Sequence, residues 1–192
     1  MNIYCLIIGS LLIISAYILL FRELLKNHDG ISAISFILWA ILDTIAALTT
    51  ISHGGLWWIV LSLFAGGSTS VAIYLYKKGE RTWTKLDKYT VIATILCIVV
   101  WLSAGKTAGT IAASIGIVIA GFSQIKESWL EPQPNVLASW FLFAIGSTFL
   151  GFVSDATEIE DFIAERLSSF TNAGLSTLIF FLTFFRLQKT RG

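Results

Sequence analysis

The sequence predicts an all-α integral membrane protein whose seven transmembrane helices form two like-oriented triple-helix repeats joined by a single helix, a 3+1+3 arrangement. Three observations carry this. The first is composition: 56% of the 192 residues are apolar and 13% charged, with a mean hydropathy of +0.80. A helix in a soluble domain of this size needs a polar face, and several runs here have none. The second is an internal match: Ala120–Ser154 falls without a gap on Ala16–Thr50, 104 positions earlier. Ala120 meets Ala16, Glu127 meets Glu23, Ser139 meets Ser35, Ala144 meets Ala40 and Thr148 meets Thr44. The third is the distribution of cations, which alternates from turn to turn.

Each span follows from apolar length, because a bilayer core takes about 20 residues of helix. Ile3–Leu20 is the first; with no basic stretch ahead of it and no small-residue cleavage site behind, it reads as a helix and not a signal peptide. Arg22–Gly30 is a polar turn. Ile31–Ile51 is the second span, interrupted by Asp43. His53-Gly54-Gly55 makes a tight connection, with Trp57 and Trp58 at the level of an interfacial belt. Leu56–Tyr76 is the third span, Lys77–Lys88 a basic loop, and Tyr89–Ala104 a shorter fourth span. Gly105-Lys106 turns the chain into Thr107–Ser123, the fifth. The loop Lys126–Asn135 holds both prolines and leads to Val136–Val153, the sixth. In Ser154–Ser169, Ile159, Phe162, Ile163 and Leu167 recur at helical spacing opposite Glu158, Asp161 and Glu165, which predicts a short amphipathic helix on the membrane surface. Leu167–Phe185 is the seventh span.

The turns after spans one, three and five, with the C-terminal tail, hold 11 of the 13 Lys and Arg residues; only Lys106 and Arg166 lie elsewhere. By the positive-inside rule the N-terminus is outside and the C-terminus cytoplasmic, in the cell (plasma or inner) membrane. Both matched stretches then run the same way, as parallel repeats require. The organisation follows: residues 1–78 as the first half, 79–106 as linker loop and fourth helix, 107–192 as the second half.

Several chemistries are set aside. Cys5 and Cys97 sit in apolar runs, as small hydrophobes and not a metal or disulfide pair. His28 and His53 fall on opposite sides, so no metal site is expected. Gly105-Lys106-Thr107 lacks the earlier glycine of a phosphate loop, position 100 being Val. The seventh span has no lysine for a retinal Schiff base. No basic aromatic face suits nucleic acid, no cofactor is implied, and no second group stands beside Asp43 for hydrolysis. The chain does not read as an enzyme.

Three helices, a linker helix and three more, N-out and C-in, resemble the SWEET/SemiSWEET sugar transporters and the wider PQ-loop family. That family carries Pro-Gln at the cytoplasmic end of the first helix of each half. Ser123-Gln124, ahead of Ile125-Lys126, retains the Gln; Leu19-Leu20 in the first half retains neither residue, and Pro132-Gln133 lies too late in the chain. The family's pocket Asn matches Asn172, thirteen residues before Phe185-Arg186, with only Ser62 or Ser68 in the first half. The family's pocket Trp falls near Ala46 and Leu150 and is missing, and no span contains a membrane-bending proline, so hinges fall to Gly116, Gly121, Gly146 and Gly151, or these simply allow close packing. The resemblance implies a facilitator or proton-coupled carrier of a small polar solute, with a sugar as the family's example, and a non-transporting receptor or helper as the alternative.

Candidate residues follow from the cost of polarity in lipid. A carboxyl inside an apolar span costs roughly 2.5–3.5 kcal/mol on insertion scales, so Asp43 faces the bundle interior and is a functional candidate. Trp39 lies one turn earlier on the same face, and Ser147 occupies the matching place in the second half. A sugar could bond Asp43 and stack on Trp39; alternatively Asp43 ties helices together through Thr44, Ser147 or Asn172. The expected pathway is Asp43, Trp39, Ser147, Asn172 and Ser68, with Gln124 as a cytoplasmic gate. Trp140 and Trp101 read as packing or interface anchors. Lipid and a small polar solute are the expected partners, and a homo-oligomer is compatible with the sequence.

Overall fold

The structure is a computed structural model and describes residues 3–27, 29–51, 57–78, 83–103, 106–153 and 159–191. Among these, seven α-helices and one 3₁₀ turn account for the secondary structure: α1 (Ile3–Leu24), α2 (Ala33–Ile51), α3 (Trp57–Lys78), α4 (Lys85–Ser103), α5 (Lys106–Leu130), the turn Pro134–Val136, α6 (Leu137–Gly151) and α7 (Ile159–Arg191). Five stretches are long and apolar enough to cross a membrane: Ile3–Leu24, Trp58–Lys78, Lys85–Ser103, Pro134–Gly151 and Arg166–Lys189; Ala33–Leu48 is a shorter apolar helix. Expectations placed on His28, on His53-Gly54-Gly55, on the middle of the Lys77–Lys88 loop, on Gly105 and on 154–158 fall outside the described residues.

The surface confirms the solvent. The buried residues of α4 are Asp87, Thr90 and Thr94, whereas Tyr89, Ile92, Leu96, Val99 and Leu102 are exposed. A helix with its polar side inward and its apolar side outward is stable only where the surroundings are hydrocarbon. On α1 the exposed face is as aliphatic as the buried one, with Ile7, Leu11, Ile14 and Ile18 outside and Leu6, Ile13, Ala16 and Leu20 inside. The chain is a helical membrane protein.

Three helix limits differ from the sequence reading. α4 starts at Lys85 because Thr84 and Asp87 form a reciprocal cap: Thr84 N–H donates to Asp87 Oδ2 (2.7 Å) and Asp87 N–H donates to Thr84 Oγ1 (3.3 Å). α5 runs on to Leu130 because Gln124 and Ser128 are buried partners and not loop residues. The segment expected as a separate surface helix is, from Ile159 onward, the first part of α7. No Pro or Gly interrupts residues 159–173, so the helix continues; its 33 residues span about 50 Å at 1.5 Å per residue.

α2 packs on α3 and α5, α6 on α7 and α1, α1 also on α3, α5 also on α7, and α4 chiefly on α5. Side-chain bonds gather the basic turns at one end of the bundle. Tyr74 Oη donates to Leu24 O (3.1 Å), joining the ends of α3 and α1. Gln124 Nε2 donates to Gly30 O (2.9 Å), joining α5 to the turn before α2. Ser123 Oγ donates to Asp87 Oδ1, joining α5 to the start of α4, and Arg186 of α7 lies 5.2 Å over the Trp129 ring.

Residues 104 positions apart share their environments. Ile13 and Ile117, Ala16 and Ala120, Ser35 and Ser139, Phe36 and Trp140, Trp39 and Phe143, and Asp43 and Ser147 are all buried. Leu11 and Ile115, Ile14 and Val118, and Ile18 and Phe122 are all exposed. Thr44 Oγ1 donates to Ala40 O (2.6 Å), and Thr148 Oγ1 donates to Ala144 O (2.8 Å). Ile8, exposed, and Ala112, buried, break the pattern near the start of the helices.

Candidate functional site

Where α1, α2, α3, α6 and α7 converge, they leave a cavity of about 30 Å³ lined by Tyr17, Phe36, Trp39, Asp43, Phe64, Ser68, Trp140, Phe143, Asn172, Leu175 and Ser176. One water needs at least about 10–15 Å³ by this kind of measure, so the space holds one or two waters and no sugar. Four of the five expected pathway residues meet here: Asp43, Trp39, Ser68 and Asn172. Ser147 does not line it; it is fully buried and its Oγ has no hydrogen-bond partner.

Asp43 is 5% exposed, and among the described residues no cationic side chain lines its cavity. The helix-tying role is not seen among the described residues: Thr44 bonds within its own helix, and Ser147 Oγ bonds nothing. Holding an unpaired carboxylate in such surroundings costs several kcal/mol, so the position is expensive wherever its charge is not met.

An aromatic cluster surrounds the acid. Phe36 and Trp39 on α2 meet edge to face at 5.1 Å, and Trp140 lies 6.4 Å from each. Phe143, one turn from Trp140 on α6, is 5.7 Å from it and 4.7 Å from Tyr17. Phe36 and Trp39 lie 104 positions before Trp140 and Phe143, so an aromatic pair at i, i+3, a helix neighbour spacing, occurs on both α2 and α6 at that offset. Trp39 is fixed by its indole N–H, which donates to Ile117 O on α5 (3.0 Å). Trp140 is 3% exposed, and its Nε1 has no partner; it lies at the centre of the protein and not in an interfacial belt.

Among the cavity residues that the sequence reading missed, Tyr17 and Ser176 are the polar ones, and Tyr17 is the one with bonds across helices. Its hydroxyl donates to Phe64 O (3.1 Å) and bonds Ser68 Oγ (2.9 Å), joining α1 to α3. The reasoning applied to Asp43 and Asn172 reaches it too, since a phenol inside an apolar span needs a hydrogen-bond partner. Gln124 lies elsewhere. It is fully buried; its Oε1 accepts from Ser32 N–H (2.8 Å), its Nε2 donates to Gly30 O and Ser128 Oγ (both 2.9 Å), and its backbone N–H donates to Ser35 Oγ (2.9 Å). These bonds fasten α5 to the N-terminus of α2. Gly121, Gly146 and Gly151 sit where an added Cβ would come within 3.0 Å of Leu175, Ile13 and Phe170, so they act as close-packing positions.

Fold and site together define a helical membrane protein with an acidic, aromatic-lined cavity bordered by five helices. Comparison with protein-family models, curated proteins and solved structures found no match.

Proposed function

We propose that this chain is a membrane carrier, a facilitator or proton-coupled, for a small polar solute, built from two parallel triple-helix halves with α4 between them. The observation that carries the reading is the cavity on the seam, where α1, α2 and α3 supply Tyr17, Asp43 and Ser68 and α6 and α7 supply Trp140 and Asn172. Midplane sites between repeats are where carriers bind their solutes. Two further facts support the halves. The packing pairs among α1, α2, α3, α5, α6 and α7 map onto themselves when the first three are exchanged with the last three: α1·α3 with α5·α7, α2·α3 with α6·α7, α1·α6 with α2·α5; α4 stands outside this exchange, packing chiefly on α5. The burial pattern recurs at the same 104-residue offset. The gathering of basic turns at one end favours a cytoplasmic C-terminus and an outward N-terminus in the cell membrane. The resemblance to SWEET-type carriers agrees in architecture and leaves the solute open. On this reading the cavity is the site in a closed arrangement, and Gln124 fastens its basic end.

The second reading is a receptor or helper of the same architecture that moves nothing; the small volume of the cavity favours it. Uptake by liposomes holding the full chain, tested over sugars, amino acids and vitamins, separates the two. A carrier takes up at least one solute, and Asp43→Asn or Asn172→Ala lowers its rate about tenfold or more. Uptake left intact by both variants would remove the site assignment, and no uptake of any solute would favour the second reading.

A further inference from the structure

We propose that the seam cavity selects a small organic ammonium ion, of methylammonium size, over a neutral polar solute. The inference rests on the reading of this cavity as the solute site and names what that site accepts. Three features point the same way. Among the described residues, the only ionisable group lining the cavity besides the Tyr17 phenol is the Asp43 carboxyl, and no Lys, Arg or His lines the space to neutralise it. A cationic ligand supplies the missing charge, and it removes the penalty of a buried, unpaired carboxylate. The remaining wall is chiefly aromatic, with Phe36, Trp39, Phe64, Trp140 and Phe143 around the acid. Ring faces attract an ammonium group, most strongly where water is excluded.

A sugar would find little here. The Ser68 hydroxyl is already bonded to Tyr17, and the Trp39 N–H to Ile117 O. Asp43, Asn172, Ser176 and the Trp140 N–H are left to satisfy a whole ring of hydroxyls, and each unsatisfied buried hydroxyl is costly. Size agrees with this. About 30 Å³ matches a guest the size of one or two waters, as a two-heavy-atom methylammonium ion is, without moving a helix. The buried Nε1–H of Trp140, on the same cavity, has no acceptor among the described residues.

The test is equilibrium binding of radiolabelled methylammonium to the purified full-length chain in detergent, with ammonium, tetramethylammonium and glucose as competitors. Saturable binding is expected, with ammonium competing, tetramethylammonium competing at least about tenfold less well, and glucose not competing. Asp43→Asn should weaken binding about tenfold or more, a loss of about 1.4 kcal/mol, and Asp43→Glu should recover part of it. Trp140→Leu should weaken binding, while Trp140→Phe, which keeps a ring face, should bind within about threefold of the native chain. Variants are compared only where they elute as the native chain does on size exclusion. Absence of saturable binding by the native chain, binding unchanged in Asp43→Asn, or displacement by glucose would overturn the inference. Asp43-dependent uptake of a neutral solute without methylammonium binding would sink this inference and leave the carrier reading standing. Methylammonium binding without transport of any solute would do the reverse.

Discussion

Gln124 shows how one side chain can replace a helix cap. The first N–H groups of a helix have no partner within it, and in lipid no water is available to serve them. At α2, Ser32 Oγ accepts from Ser35 N–H (3.2 Å) and Gln124 Oε1 accepts from Ser32 N–H (2.8 Å). Its other arm serves the carbonyl of Gly30, whose φ of +71° turns the chain into the helix. A Cβ at Gly30 would also strike Glu131 O, so both conformation and space require glycine there. The position 104 residues earlier is Leu20, fully buried. There α6 is preceded by a turn with Pro134 at its start, and proline has no N–H to satisfy. Gln124→Leu should therefore destabilise the protein by about 1–3 kcal/mol, seen as a lower Tm in detergent, because it strands a buried donor and a buried acceptor. An unchanged Tm would show that these bonds contribute nothing. The sequence placed Gln124 at the right end of α5; its partners lie 89 to 94 residues earlier, and no local pattern reveals them.

At the scale of elements, close approach is set by a few glycines. Gly67 on α3 lies beneath the Tyr17 ring, so closely that any Cβ there would overlap it. Gly66, next to it, has nothing within 4 Å of its would-be Cβ. Gly67→Ala should push Tyr17 aside, break its bond to Ser68 and lower stability by about 1–3 kcal/mol. Gly66→Ala should be neutral or slightly stabilising, since alanine is the better helix former. Equal Tm values for the two variants would refute this packing of α1 on α3. The existence of all seven helices was legible because apolar length is an unambiguous signal in a membrane protein. Their limits were less so, and for one reason. A polar residue suggests a loop in a soluble chain, but in lipid a helix turns its polar side inward. Asp87, Gln124 and Ser128 were therefore read as loop or loop-edge residues, although each is a buried helical residue. The run Ile159–Leu167 was set apart for its acids, although nothing in it stops α7.

For the whole molecule, the central claim is that the two halves enclose a site reached in turn from each side. Asp43 and Asn172 were legible as cavity residues because a lone polar group in a long apolar run is conspicuous. The small volume of the cavity was not legible, since it depends on how closely its five helices approach. Cysteine accessibility in reconstituted liposomes tests the claim most directly. The native thiols Cys5 and Cys97, both half-buried, are replaced by alanine, and Asn172→Cys is introduced at the half-buried cavity wall. A membrane-impermeant thiol reagent is then applied from one side only, and separately from the other. The account predicts modification from either side, slowed by the transported solute. Modification from a single side only, or from neither, would contradict it.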